Sequence, residues 1–381
     1  MNIQIKHCLL LFFIGIISIW KLSAQELLTN KIKETSIHST ILDQDREILI
    51  FSTLGETDDT NDFPTIYLLD GKENFLLVSG LISNLVRAEL LPNLNLVGIN
   101  NYDYDREYNL STKSNSDDIY FKTGGGSDFQ KFITEELFPY ISSSITTSDY
   151  KVLIGHSFGG SFGLNMIKEN PNSFSSAILI DPSIWWNDGE LIKSLKKNKS
   201  VFKKMPIYFS RSAGEEENII LFDTLTQLIK SNQVMFEKFP KENHISTLAP
   251  SIFEGLKYIF KDFSLLESLY VEINFIELKE KIEQLSILYN TTIPPKVRAI
   301  APIARNLTNE GEFSESIKIL KYLKLYHPND IMVLNFLGEA YEKSGDLTNA
   351  KLTYNRSLEI AKAKNSPMIK WIEKRLAKIE N

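Results

Sequence analysis

From residue 36 to residue 260 the chain alternates between short apolar, β-branched runs and longer amphipathic stretches. Near-continuous apolar runs predict strands that are buried on both faces of a sheet, and the amphipathic stretches predict helices that cover those faces. The pattern therefore indicates an α/β fold with a mostly parallel sheet. Strands are predicted at 47–53, 65–69, 94–100, 151–154, 177–180, 206–210 and 233–239, and helices at 73–89, 128–141, 162–168, 219–230 and 248–260.

Beyond residue 265 the strand pattern stops and the chain is predicted to be helical. Positions 34 apart match, because Gly311-Glu312-Phe313 corresponds to Gly345-Asp346-Leu347, and Ser316 and Leu320 correspond to Ala350 and Tyr354. This spacing resembles tetratricopeptide repeats, over residues 296–358. The resemblance implies a region, 265–381, that docks a protein partner, and a helical cap packed on the preceding domain is the alternative.

Charge and cysteine content exclude several classes of function. The 381 residues carry 42 Lys and Arg against 48 Asp and Glu, a net charge of −6. This balance gives no strong electrostatic attraction to nucleic acid, so no nucleic-acid partner is expected. The single cysteine, Cys8, excludes disulfides and cysteine-rich metal sites, and no metal or cofactor is expected.

The first residues resemble an export signal. Lys6 and His7 precede an apolar run, residues 8–20, and Ala24 follows as a small residue before a plausible cleavage point. The run is shorter than the roughly 20 residues of a membrane-spanning helix. We therefore expect residues 1–24 to be a signal peptide of a periplasmic or extracellular protein with no stable membrane span after cleavage. An uncleaved anchor is the alternative.

Gly155-His156-Ser157-Phe158-Gly159 matches the G-x-S-x-G pattern between a predicted strand and a predicted helix. Such a turn holds a serine in strained backbone geometry, and the flanking glycines make this possible. It also exposes the hydroxyl beside a helix N-terminus, where developing negative charge is stabilised. This context predicts that Ser157 is a catalytic nucleophile.

A serine hydroxyl needs a base to remove its proton, and the five histidines can be compared as candidates. His7 lies in the signal, His38 on an early strand and His327 in the helical tail, while the side chain of His156 is expected to point to the other face of its strand. Hydrolases of this kind have the order serine, acid, histidine. Elimination and order together predict His244 as the base.

The acid that orients the histidine is expected after the strand that precedes the His244 loop. Three consecutive glutamates follow strand 206–210, and Glu217 is favoured among them. Glu215, Glu216 and, more distantly, Asp181 remain open. The oxyanion of an acyl-transfer intermediate needs two backbone donors, which are predicted to be the amides of Phe158 and Gly71.

With these residues placed, residues 36–261 resemble the Putative esterase family of α/β-hydrolases, which includes S-formylglutathione hydrolases, feruloyl esterases and siderophore esterases. The resemblance rests on several segments together: Tyr67-Leu68-Leu69-Asp70-Gly71, 124–129, Glu136-Leu137-Phe138-Pro139-Tyr140, the Ser157 turn, Pro182-Ser183-Ile184-Trp185-Trp186, 214–217 and Glu242-Asn243-His244. It implies a Ser-His-acid hydrolase, with the domain at 25–264.

The resemblance also points to a loop, residues 101–109, beside the active site. Arg106 there is a candidate for binding an anionic or carbonyl-bearing substrate, with a surface ion pair as the alternative. Trp185 is a candidate wall of the substrate pocket, and one of Trp185 and Trp186 is expected in the core. The leading hypothesis is an exported serine carboxylesterase, and the alternatives are a siderophore lactone esterase and a non-catalytic scaffold that docks a partner through its tail.

Overall fold

The computed structural model describes residues 32–53, 62–101, 105–114, 116, 119–196, 202, 205–214, 216–264 and 274–380, except for the side chains of Glu217, Ser264 and Glu380. The predicted signal peptide, 1–24, lies outside these residues. The chain forms two compact units, the first ending at Lys261 and including Tyr289–Thr291, the second formed by 262–288 and 292–381.

The first unit is built on a sheet of eight strands in the order β1-β2-β4-β3-β5-β6-β7-β8. β1 is antiparallel to β2, and β2 is antiparallel to β4. The other six strands, β3 to β8, are parallel to one another. The predicted α/β fold with a mostly parallel sheet is therefore confirmed. The strands are β1 Ile32–Ser39, β2 Gln44–Ser52, β3 Phe63–Leu69, β4 Asn95–Ile99, β5 Thr147–His156, β6 Ser176–Ile180, β7 Ile207–Arg211 and β8 Val234–Lys238.

Helices cover the sheet because its central strands are apolar on both faces, and β3, β4 and β6 are buried along their whole length. All five helices predicted in this unit are present, with ends that differ by a few residues. The α-helices are Gly71–Arg87, Arg106–Leu110, Gly126–Lys131, Phe138–Ser144, Phe158–Glu169, Trp186–Leu195, Glu216–Leu228 and Leu248–Ile259, and a π-helix spans Phe132–Leu137. A short helix, Lys261–Ser264, starts at Lys261 and continues into the second unit.

The pairing register of the parallel strands determines which of the loops that follow them lie next to each other. In the parallel part of the sheet His156 pairs with Ile180, so β5 and β6 end side by side. The carboxyl ends of parallel strands lie at one edge of a sheet, and loops that follow them form the ligand sites of open α/β folds. Residues 70, 157, 181 and 212 each directly follow one of these strands.

The second unit is helical, and its helices are Phe275–Leu288, Val297–Glu310, Phe313–Tyr326, Ile331–Lys343, Leu347–Ala363 and Ile369–Glu380. Gly311 and Gly345, which are 34 positions apart, both have left-handed backbone angles, with φ of 91° and 85°. Gly338 lies so close to Tyr354 that an added Cβ would be 2.6 Å from its ring. The helical tail is confirmed, and its assignment to tetratricopeptide repeats stays a prediction.

None of the helices within the described ranges combines the length and the apolar character that crossing a membrane requires.

Candidate active site

Ser157 stands on a sharp turn between β5 and helix Phe158–Glu169, with φ of 60° and ψ of −121°. A non-glycine residue with positive φ is strained, and such strain concentrates at functional positions. Close packing explains the glycine before it, because a Cβ on Gly155 would collide with the carbonyl group of Gly159. A Cβ on Gly160 would come within 3.0 Å of Pro182 Cβ. The sequence thus folds into the turn that the G-x-S-x-G pattern predicts.

The end of β6 lies directly beside this turn. The Ser157 amide donates to the Ile180 carbonyl at 3.0 Å, and the Ser183 amide donates to the Ser157 carbonyl at 3.1 Å. Within the described part of the chain, the hydroxyl of Ser157 has one side-chain hydrogen-bond partner, Ser183 Oγ at 3.2 Å. Asp181, between Ile180 and Ser183, is therefore held next to the serine.

His244 is joined to Asp181. Its Nδ1 lies 2.7 Å from Asp181 Oδ2, and the Ser212 hydroxyl donates to the same oxygen at 2.6 Å. Burial opposes ionisation of Asp181, but the hydrogen bonds from His244 and Ser212 outweigh it and hold the pKa of the carboxyl below its usual value. Since an ionised carboxylate only accepts, Nδ1 of His244 carries the hydrogen and Nε2 is left to accept a proton.

The loop that carries His244 is fixed by local hydrogen bonds. Asn243 Oδ1 accepts from the amides of Ile245 and Ser246, each at 2.9 Å, which is a side-chain turn of the kind asparagine favours. The Ala213 amide donates to the Glu242 carbonyl at 2.9 Å and ties this loop to the segment after β7. The imidazole is 45% exposed, so solvent reaches it.

The acid beside His244 is Asp181, which the sequence analysis ranked last, and Glu217 was favoured in its place. Glu216 is exposed at the start of helix Glu216–Leu228, while Glu215 and the side chain of Glu217 lie outside the described residues. His244 Nδ1 offers one hydrogen and Asp181 accepts it, which favours Asp181 as the acid, while Glu217 stays a prediction. The available signal was position, since Asp181 follows β6 as Ser157 follows β5.

The side chain of His156 lies in a different place from the one expected. Its side chain was expected on the other face of the strand, away from the site, but its ring lies 4.4 Å from the His244 ring, centroid to centroid. Its Nε2 lies 2.8 Å from the His244 carbonyl oxygen. Two imidazoles therefore stand next to each other at the end of β5.

Arg106 forms an ion pair, but with the buried carboxylate of Asp70, where the alternative to substrate binding was a surface ion pair. Its Nε and Nη2 donate to the two carboxylate oxygens of Asp70 at 2.9 and 2.6 Å. Asp70 is buried and also accepts from Asn101 Nδ2 at 3.3 Å. Arg106 Nη2 lies 3.5 Å from the His156 carbonyl, so the guanidinium links the end of β3 to the end of β5. The hydrogen-bond partners of Arg106 in the structure are thus Asp70, the His156 carbonyl and its neighbour Glu107.

The predicted oxyanion donors lie at the starts of two helices. Phe158 begins the helix after Ser157, and Gly71 begins helix Gly71–Arg87, where the first amides have no partner within the helix. A Cβ on Gly159 would be 3.7 Å from Asp70 Oδ2, which places the two helix starts close together. Gly71 must lack a side chain, since its Cβ would be 2.7 Å from Gly98 Cα. Their role as donors stays a prediction.

Aromatic rings surround Phe158. Trp186 is buried, 5.1 Å from the Phe158 ring, and its Nε1 donates to Thr112 Oγ1 at 3.1 Å. Trp185 is 42% exposed and lies 5.9 Å from the same ring. One tryptophan thus has the expected place in the core, and Trp185 stays the candidate wall of a substrate pocket.

A cavity of about 260 Å³ opens next to Ser183 and Phe158. Most of its lining side chains are polar, including Ser161 and Asn165 from the helix after Ser157. Ser183, which lines this cavity, also contacts the Ser157 hydroxyl. Across the described ranges, no group of three or more His, Cys, Asp or Glu side chains is arranged to hold a metal ion.

Fold and site together define a protein of the α/β-hydrolase class, with a serine, a histidine and an aspartate at one end of the sheet. A model of the family described as Putative esterase matches residues 39–231, just over half of the chain. The chain belongs to this family.

Among its curated relatives is ferri-bacillibactin esterase BesA of Bacillus subtilis, 30% identical over 154 residues. The match covers 35% of this chain and 52% of that protein, so the chain spans about half the length of this relative.

Solved structures show the same fold. An IroE-like serine hydrolase from Shewanella oneidensis has a TM-score of 0.62 at 21% identity and covers 78% of this chain and 99% of its own. An uncharacterised protein from Capnocytophaga ochracea has a TM-score of 0.64 at 17% identity, and the match covers 92% of this chain and 99% of that protein. Both likenesses extend to the fold alone.

Proposed function

We propose that this protein is an exported serine hydrolase that cleaves carboxylic esters through an acyl-enzyme on Ser157. The observation that carries the proposal is the hydrogen bond from His244 to the buried Asp181, at the strand end next to Ser157. Family membership supports ester hydrolysis, and the apolar run at residues 8–20 supports export.

The tautomer of His244 determines the direction of proton transfer. With Nδ1–H bound to Asp181, Nε2 accepts the proton of the Ser157 hydroxyl as Oγ attacks the ester carbonyl. The negative charge of Asp181 stabilises the imidazolium that forms. The proton then passes from Nε2 to the alcohol as it leaves, and a water molecule, activated by the same nitrogen, releases the acid.

Ser157 Oγ and Ser183 Oγ share a hydrogen bond at 3.2 Å, and catalytic hydrogen bonds commonly align only in the substrate complex. As the carbonyl becomes tetrahedral, its oxygen gains negative charge. The amides of Phe158 and Gly71 would receive this charge, and the start of helix Phe158–Glu169 adds a favourable dipole.

A p-nitrophenyl alkylphosphonate tests the nucleophile directly. Attack by Oγ on phosphorus expels p-nitrophenolate and leaves a phosphonate on the serine. We expect one label per chain, on peptide 152–168, which contains only two serines, Ser157 and Ser161. Mass spectrometry of the digested full chain measures it.

Two variants provide the controls for this labelling. Ser157→Ala should take up no phosphonate, whereas Ser161→Ala, a change of the same kind one helical turn later, should be labelled as the wild type is. Absence of label on the wild type, or a label that survives Ser157→Ala, would contradict the proposal.

A second candidate is hydrolysis of siderophore esters, which the comparison with ferri-bacillibactin esterase BesA supports. A cyclic trilactone siderophore, iron-loaded and iron-free, is the probe, and chromatography of the linear products is the measurement. Products formed by the wild type and absent with Ser157→Ala would establish this substrate. Cleavage of p-nitrophenyl butyrate without cleavage of the trilactone would exclude it.

A further inference from the structure

The two adjacent imidazoles extend the proposed function, on which this inference rests. We propose that His156 is a positioning residue for the catalytic base, because it donates a hydrogen bond to the main chain of His244 and packs against the ring of His244. His156 touches no reacting atom in this scheme. Its effect passes through the place and orientation of His244.

The hydrogen bond has a defined direction. A carbonyl oxygen can only accept, so His156 Nε2 carries the hydrogen and donates it to the main-chain oxygen of His244 at 2.8 Å. The two residues are 88 positions apart, and this bond anchors the histidine loop to the strand that ends at the nucleophile. Ser157 is the next residue, so the distance between nucleophile and base depends on this anchor.

Ring packing supplies the second restraint. The centroids of the two rings are 4.4 Å apart, and their planes are inclined by 34°. Asp181 holds the edge of the His244 ring through Nδ1, which fixes where that atom lies. The His156 ring lies against the imidazole itself and limits its swing about the Asp181 contact. The His244 ring is thus restrained at its edge by Asp181 and on its face by His156.

The charge state of His156 suits this role. The titratable or charged groups that act on it are His244, Asp181 and Arg106. Burial, and then the neighbouring His244, lower the pKa of His156 to about 4, so its ring is neutral at neutral pH. A neutral ring does not repel the imidazolium that His244 becomes during acyl transfer, whereas a second cation would.

Two substitutions separate the hydrogen bond of His156 from its ring packing. His156→Phe keeps a planar ring and removes the donor, and His156→Gln keeps a donor and removes the ring. Because a misplaced catalytic group costs rate and leaves substrate binding intact, we expect His156→Phe to lower kcat about 10- to 100-fold, with KM changed by less than about twofold. His156→Gln should keep kcat within about fivefold of the wild-type value.

The assay is steady-state hydrolysis of p-nitrophenyl butyrate by the full chain, with thermal melting measured for each variant. His38→Gln is the matched control, since His38 is an exposed histidine on β1 paired with Asp45, and its kcat should equal the wild-type value. If His156→Phe does not fold, His156→Met and His156→Gln are compared, because both fill space and only Gln donates.

The outcomes separate the two proposals. An inactive wild type would overturn the proposed function and this inference with it. An active wild type with an unchanged kcat in His156→Phe would overturn the positioning role alone. So would a His156→Gln variant as slow as His156→Phe, or a loss that appears in KM with kcat unchanged.

Discussion

Replacing Ser157 by alanine is expected to lower kcat for p-nitrophenyl butyrate by about 10⁵-fold, the scale seen when a serine hydrolase loses its nucleophile. At about 1.4 kcal/mol per factor of ten, this is about 7 kcal/mol of transition-state stabilisation. The residual rate would come from the donors and the bound geometry that remain. The substitution removes one oxygen from a turn whose backbone is determined by glycine packing, so the fold and the melting temperature should be unchanged.

Ser183→Ala is the matched control for this experiment. Its hydroxyl is the partner of Ser157 Oγ at 3.2 Å, so its loss removes a hydroxyl from the same spot without removing the proposed nucleophile. We expect its kcat to fall by less than about tenfold, the cost of one neutral hydrogen bond. If Ser157→Ala kept a rate within tenfold of the wild type while Ser183→Ala lost about 10⁵-fold, the assignment of the nucleophile would be wrong.

The turn that carries Ser157 was predictable because it depends on local structure. A strand, two glycines and a helix specify the turn, and all are visible in the sequence from 151 to 168. The sheet was predictable for the same reason, since each strand appears as its own apolar run. β1 is the exception: it alternates polar and half-buried residues at the edge of the sheet, and the predicted strands begin at 47.

Asp181 was ranked last because its place beside His244 depends on sheet register, which the sequence does not show. Asp181 and the glutamates at 215–217 all follow strands whose carboxyl ends share one edge, so each is a reasonable partner for His244. Register decides between them, since β6 pairs directly with β5 and places Asp181 next to Ser157. Three acidic residues in a row were the more conspicuous pattern.

The roles of Arg106 and His156 were also beyond reach of the sequence. An arginine in a loop near a site suits either a substrate or a buried carboxylate, and in the structure Arg106 donates to Asp70. Strand alternation suggested that His156 points away from Ser157. The sharp turn after β5 breaks that alternation, so both residues serve the same end of the sheet.

Asp181→Asn is the decisive test of Asp181 as the proposed acid. The neutral amide lacks the negative charge that stabilises the His244 imidazolium, and it weakens the preference for the tautomer with hydrogen on Nδ1. We expect kcat to fall by about 10³- to 10⁴-fold, as for other hydrolase triads, with KM nearly unchanged. The hydrogen bond with Ser212 can be kept by the amide, since a hydroxyl both donates and accepts.

Glu217→Gln is the matched control, because it makes the same change from carboxylate to amide in the acid that the sequence favoured. Its kcat should stay within about twofold of the wild type, because Asp181 already accepts the Nδ1 hydrogen of His244. The opposite result, with Glu217→Gln lowering kcat about 10³-fold and Asp181→Asn leaving it intact, would return the role of the acid to Glu217. Equal losses in both variants would mean that the charge on His244 is shared between two carboxylates, and that the hydrogen bond to Asp181 alone does not define the site.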